Sequence, residues 1–267
     1  MKVIKFTLKG KTAFFKKPDV NTYLYFTYGT IHKIALLGVF GAILGYKGYN
    51  HMSFLKDYKK DFGKILNPNE LKENSYPEFY YRLKDLKVAI VRNHINVSKK
   101  VQIFNNSVGY ASKELGGNLI IKEQWLENPS WDIYIAINND EAKYLADSLL
   151  ERRFVYIPYL GKNDHLADIC DVEIIENLKE VSNTDRIHSL FIKDDFQLDD
   201  SEDILDVFHV DTEEKEPKYK YEEKLPIALE ESNNKYEFKT FVASNFKVKA
   251  KEQIKVFNDG DRNIVFF

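Results

Sequence analysis

Cysteine is almost absent: Cys170 is the only one in 267 residues. No disulfide can close within the chain and no zinc site can rest on paired cysteines, so a reducing, cytoplasmic setting is expected. Long apolar runs are also missing. The most apolar stretch, Ile34 to Leu44, falls well short of the about 20 residues a membrane helix needs, so it reads as a buried core helix and no membrane partner is expected. Residues 1–15 alternate basic and apolar side chains and do not resemble a secretory leader. The six histidines, His32, His51, His94, His165, His188 and His209, are scattered and form no His-x-x-x-His pair. Nucleophile-elbow, P-loop and dinucleotide signatures are lacking too. These absences predict no metal, no cofactor and no catalytic residue.

What remains is a composition fit for a folded domain, 44% hydrophobic and 30% charged. Its length suits one large domain or a compact pair. The net charge of −2 hides an uneven distribution. Residues 1–100 carry 19 Lys and Arg against 7 Asp and Glu, whereas residues 101–267 carry 20 against 34. The first part is therefore expected to face a polyanion and the second solvent or protein; charges spread over solvated faces are the alternative.

Periodicity and turn residues predict a strand over Lys2–Lys9 and an aromatic, basic loop over Phe14–Tyr28. A helix follows over Thr30–Leu44, with Thr30 as its N-cap. Gly38, Gly41 and Gly45 share one face of that helix and predict its close approach to a sheet. Residues 49–81 read as polar, aromatic and partly helical, ending near Pro77. Leu86–Arg92 and Ile133–Ile137 read as strands, with a protruding hairpin between them over about 93–125. Asp140–Arg152 is an amphipathic helix with Ala142, Leu145, Leu149 and Leu150 near one face. Phe154–Tyr159 and Ile169–Ile175 read as strands. The order strand–helix–strand–strand–helix–strand is the ferredoxin-like split βαβ pattern that RNA-recognition domains share, which makes the fold class α+β. Residues 1–180 form this RRM-like domain, and residues 181–267 a β-rich C-terminal part. The latter carries an acidic excursion over 194–216 and strands at Tyr236–Val242, Gln253–Phe257 and Asn263–Phe267.

The chemistry-bearing pattern is the interleaving of Lys9, Lys11, Lys16 and Lys17 with Phe14, Phe15, Tyr23, Tyr25, Phe26 and Tyr28. Lysines neutralise phosphates and aromatic faces stack on unpaired bases, although at least half of these rings are expected in the core. The helix start at Thr30–Lys33, with free amides and the positive dipole end, offers a phosphate site at His32 and Lys33. The hairpin adds Arg92, Asn93, His94, Lys99, Lys100, Asn105, Asn106 and Lys113, as a clamp along RNA or as a solvated loop. His32, Lys33 and Tyr28 also form an acid–base set of the kind metal-free RNA cleavage requires.

Two blocks then carry a family likeness. The first is Phe15-Lys16-Lys17-Pro18-Asp19 and Thr22-Tyr23, followed by Ala35-Leu36-Leu37-Gly38-Val39-Phe40-Gly41-Ala42-Ile43-Leu44-Gly45-Tyr46. The second is Pro158-Tyr159-Leu160-Gly161-Lys162-Asn163-Asp164-His165-Leu166-Ala167-Asp168-Ile169. Together they resemble the fifth CRISPR-associated protein family (Cas-five), nearest its type I-B branch, over about the first 180 residues. The resemblance implies a repeat-associated (RAMP) fold with a thumb hairpin and a non-catalytic role in antiviral defence. Such a subunit caps the 5′ handle of crRNA in a type I Cascade complex, contacts the backbone and large subunits, and meets target DNA through the assembled complex. The alternative, a type I-C-like role, is a metal-independent endoribonuclease that processes precursor crRNA. The family pattern of Pro-Pro, a basic residue and Thr before the helix is replaced here by Ile31-His32-Lys33-Ile34. The basic position survives as Lys33, so the resemblance still implies a phosphate contact there, while it no longer supports the family's local loop shape or a hydroxyl-mediated contact.

Overall fold

The computed structural model describes residues 1–19, 23–52, 75–105, 109, 113–115, 117, 119–182, 184–199 and 217–267. A four-stranded sheet forms its centre, built from β1 (Val3–Lys9), β3 (Val88–Arg92), β6 (Ser130–Ala136) and β7 (Asp168–Ile175) in the order β3-β6-β1-β7. Every neighbouring pair is antiparallel, so β1 and β3 run parallel with β6 between them. That is the split β-α-β arrangement.

Alternation explains why β1 belongs here. Ile4, Phe6 and Leu8, all 0% exposed, point into the main core, whereas Val3 joins a separate cluster on the reverse face. The main core is covered by α1 (Lys33–Leu44), α2 (Glu78–Leu83) and α3 (Asp140–Leu150). Helix α1 is apolar nearly all round and is buried accordingly, eight of its 12 residues lying fully in the core. Helix α3 is amphipathic; Asn139 Oδ1 caps it by accepting from the Ala142 amide at 2.8 Å.

Several expectations are corrected. Helix α1 is capped by His32, whose Nδ1 accepts from the Ala35 amide at 3.3 Å, while Thr30 is buried and accepts from Trp131 Nε1 at 2.8 Å. Pro77 opens α2 instead of closing a helix, because its φ of −63° suits a helix start; residues 53–74 of the expected 49–81 segment lie outside the described residues. Leu150 is 45% exposed. Phe154–Tyr159 is not a strand, because the Val155 and Tyr156 amides bond the Ile43 and Ala42 carbonyls at the end of α1.

The glycine face also divides into separate roles. A Cβ at Gly41 would lie 2.5 Å from Phe79 Cβ, so Gly41 admits α2, not a sheet. Gly45 ends α1 at φ +79°. A Cβ at Gly38 would meet nothing within 4 Å.

Between β3 and β6 the chain forms the antiparallel hairpin β4 (Lys99–Asn105) and β5 (Ile120–Glu127), with β2 (Thr12–Ala13) on its edge. Residues 178–267 supply β8 (Lys179–Val181), β9 (Phe191–Ile192), β10 (Phe196–Leu198), β11 (Lys220–Leu229), β12 (Tyr236–Ser244), β13 (Val248–Ala250), β14 (Val256–Asn258) and β15 (Asn263–Ile264). The ten-residue β11 was not expected; its charges and Pro226 mask the β pattern, and the register shifts between Pro226 and Ala228. Of the acidic excursion, 200–216 lies outside the described residues. The C-terminal part covers what the split βαβ sheet would otherwise leave bare. Leu178, Ile264, Phe257 and Phe266 pack on its reverse face, and Leu190 and Phe267 bond the backbone of β3 at its edge. Leu225 and Phe241 also enter the main core, so one apolar cluster joins both parts of the chain.

Candidate nucleic-acid interface

The loop Phe14–Tyr28 is tied down through its backbone. Lys17 donates to Phe26 O at 2.8 Å, Tyr28 to Phe15 O at 2.9 Å, and Tyr25 to Lys122 O on β5 at 2.9 Å. This pairing turns successive side chains to opposite sides. Phe15 goes into the core at 3% exposure, Lys16 is exposed, and Lys17 reaches the C-terminal sheet.

There Lys17 Nζ meets Glu223 Oε1 of β11 at 2.5 Å. Glu223 Oε2 accepts from the Gly29 amide at 2.8 Å and from the Tyr221 hydroxyl. The Arg92 guanidinium stacks on the Tyr221 ring at 4.1 Å, and its Nη2 donates to Ile95 O at 3.0 Å. Nε and Nη1 of Arg92 are buried without a hydrogen-bond partner. Partial burial first, then the charges of Lys17 and Arg92, lower the Lys99 pKa, against the pull of Glu223. Glu223 therefore pairs directly with Lys17 and also pulls electrostatically on Arg92 and Lys99, cations that come from the N-terminal loop and from the β3–β4 region. The repulsion that Lys17 and Arg92 exert on Lys99 is only partly offset by Glu223, so the cluster favours an added anion.

Arg92 and Lys99 line a cleft of about 280 Å³ with Gly29, Tyr219, Lys220 and Tyr221, and the Lys17–Glu223 pair is tied to its wall through Gly29 and Tyr221. Arg92 and Tyr219 also line an adjoining space of about 400 Å³ with Arg186, His188 and Arg262. Arg262 pairs with Asp132, and the His188 Nδ1 accepts from the Asn263 amide at 2.9 Å. Burial, then Arg186, lowers the His188 pKa. These C-terminal residues were not foreseen, although Lys218-Tyr219-Lys220-Tyr221 repeats the basic–aromatic interleaving that singled out the N-terminal loop.

Other predicted residues lie elsewhere. Tyr28 is 2% exposed with its hydroxyl unpartnered, so its ring is closed to a stacking base. His32 is 4% exposed, and burial lowers its pKa to about 3; a cap that accepts from its own helix is neither a phosphate ligand nor a useful base near neutrality. Lys33 Nζ donates to Phe267 O at 3.2 Å, and burial lowers its pKa to about 8, so it faces the interior and not a phosphate. Asn93 Nδ2 is held by Ser130 and Asp132. Lys100 lies 3.9 Å from Glu127 and 5.9 Å from the Trp125 ring centre. Asn105 and Lys113 are exposed, and Asn106 lies outside the described residues.

On the other side of the loop, Lys16 Nζ stands 4.2 Å over the Tyr25 ring. It borders a cavity of about 520 Å³ that reaches α1 and Lys162. Lys162 bonds both oxygens of the buried Glu123 at 3.1 Å.

Among the described residues, no three His, Cys, Asp or Glu side chains are grouped to hold a metal ion, and no helix is long and apolar enough to cross a membrane.

No protein-family model and no curated protein matches the chain. Solved structures do. A CRISPR protein from Archaeoglobus fulgidus aligns at 12% identity over 99% of this chain and 98% of that one, with a TM-score of 0.48. A chain of the type III-B Cmr-beta complex bound to cognate target RNA and AMPPnP aligns at 13% over 93% and 86%, with a TM-score of 0.42. A chain of a CRISPR RNA-guided surveillance complex reaches a TM-score of 0.51 at 12% identity, over 91% of this chain and 90% of that one. At such identity only the fold carries across: this chain is similar in fold to a chain of a CRISPR RNA-guided surveillance complex.

Proposed function

We propose that the chain is a non-catalytic, type I-B-like Cascade subunit that caps the 5′ handle of crRNA. The β4–β5 hairpin would act as a thumb closing over the RNA. The observation that carries this reading is the gathering of Lys17, Arg92 and Lys99 around Glu223 and Tyr221, where one carboxylate offsets only part of their charge. Cations gathered from separate segments beside Tyr219 and Tyr221 suit a phosphate backbone whose bases splay onto aromatic faces. The fold likeness to a surveillance-complex chain supports the setting. Protein partners, the backbone and large subunits, are supported by Val155, Tyr156 and Ile157, which are 60%, 60% and 74% exposed in one loop. Target DNA would be met through that assembly.

The test incubates the protein, in EDTA, with labelled repeat RNA and with mature 5′-handle RNA, reading binding and product length on gels. The expected result is intact RNA bound through the handle. Lys17→Ala, Arg92→Ala and Lys99→Ala should each weaken binding by about five- to tenfold, and each should lower the salt slope by about one. A discrete cleavage product would overturn the non-catalytic role, and unchanged binding in all three variants would overturn the cleft as the RNA site.

A further inference from the structure

The cavity beside α1 has a composition that packing alone does not explain. Its helical side is Ala35, Gly38, Val39 and Ala42, and the three small residues among them share one face of the helix. Glycine inside a helix costs about 1 kcal/mol against alanine, and is normally kept where a neighbour leaves no room for a methyl group. Gly41 meets that condition against Phe79, but Gly38 does not: a Cβ there would touch nothing within 4 Å. The missing side chain leaves open volume and relieves no clash.

That volume has aromatic walls and charged ends. Tyr25, Tyr159 and Tyr236 line it. Tyr159 is 43% exposed, so one wall is open to solvent. Lys16 lies at the exposed end, its ammonium already over the Tyr25 ring. Glu123, 5% exposed, lies at the buried end, held by Trp125 Nε1 at 2.8 Å and by Lys162. The volume of about 520 Å³ falls within the ordinary range for small-ligand sites, about 300–1,000 Å³.

From this geometry we infer that the cavity holds one unpaired nucleobase. The flat floor of α1 lies beneath it, tyrosine rings stand beside it, and Lys16 meets its flanking phosphate. Aromatic faces are sequence-tolerant stacking partners. The carboxylate at the buried end is not: it accepts from an exocyclic amino group or ring N–H, and so favours bases that present donors on that edge. The inference rests on the RNA-binding reading and adds to it a base-sized subsite separate from the cation cleft. An apolar or aromatic side chain of a partner protein would be the competing occupant, but Lys16 at the exposed end, its charge not offset by the Lys162–Glu123 pair, favours a ligand that carries a phosphate.

The test places 2-aminopurine at each position of the handle RNA in turn and measures its fluorescence on the wild-type protein, Gly38→Leu and Tyr159→Ala. Leucine at position 38 fills open space and raises helix propensity, so its melting temperature should equal or exceed the wild-type value. One position should be strongly quenched on the wild-type protein. Both variants should relieve that quenching and weaken binding about tenfold, while Lys17→Ala should weaken binding with the quenching retained in the bound state. If Gly38→Leu binds and quenches like wild type, the subsite is overturned and the RNA-binding reading stands; a protein side chain is then the better occupant. If the wild-type protein binds no RNA, both fall together.

Discussion

Residues 14–28 and 31–46 are neighbours in sequence and mix the same ingredients, yet they end in opposite surroundings. In the first, backbone pairing to β5 and across the loop holds the chain extended, and beyond the buried Phe15 it turns Lys16 to solvent and Lys17 to Glu223 at the edge of the C-terminal sheet. In the second, a helix is enclosed on nearly all sides, so His32 and Lys33 turn inward and lose basicity to burial. A basic or aromatic residue states which chemistry is available; the number of faces its element must bury decides whether that chemistry reaches solvent.

The sharpest way to break this contrast is at Gly161. Its φ is +94°, and a Cβ would lie 1.9 Å from Phe14 O, so the outward-facing loop rests on this glycine. Gly161→Ala should cost about 3 kcal/mol through strain and overpacking, measured by chemical denaturation. A loss below about 1 kcal/mol would show that the loop does not need this close approach.

Acid should strike the enclosed region next. The folded state favours neutral His32, with a pKa of about 3, whereas the unfolded chain binds that proton near pH 6.5. Stability is therefore lost as pH falls below about 6.5, by about 2 kcal/mol at pH 5 from this residue. Burial lowers the pKa of His165 as well, with the same sign. Asparagine can still cap the helix, so His32→Asn should flatten the pH dependence. An unchanged slope in urea melts across pH 5 to 8 would remove His32 from the account.

RNA binding separates the two regions more gently. Lys33→Ala should leave affinity within about twofold, whereas Lys17→Ala should cost about 1 kcal/mol. Equal losses in filter binding would return Lys33 to the interface. Smallest of all, Gly38→Ala should raise stability by up to about 1 kcal/mol, because the methyl group meets open space. A lower melting temperature would mean that the space is less open than its geometry indicates.

Much of this architecture was legible in the chain. Alternation placed β1, and apolar continuity placed α1. Less legible were features set by a partner distant in sequence. Phe154–Tyr159 has β-type residues, but its amides are taken by the end of α1. Lys17, Arg92 and Lys99 stand out by local composition, while Glu223 and Tyr221, beside which they meet, lie over 120 residues further on. Tyr28 looked like a stacking platform because an exposed loop was expected around it, and its ring is instead enclosed.

By itself the sequence determined the menu: a globular composition, a split βαβ core, an inserted hairpin, and a basic–aromatic N-terminal third. Residue period and polarity act locally and need no partner to be read. Tertiary structure alone decided which lysines face a cleft and which the core, that the C-terminal part closes the reverse face of the sheet, and that Gly38 opens a cavity while Gly41 closes against α2. Burial and charge balance are properties of surfaces brought together from distant segments, and no window along the chain contains both sides of them.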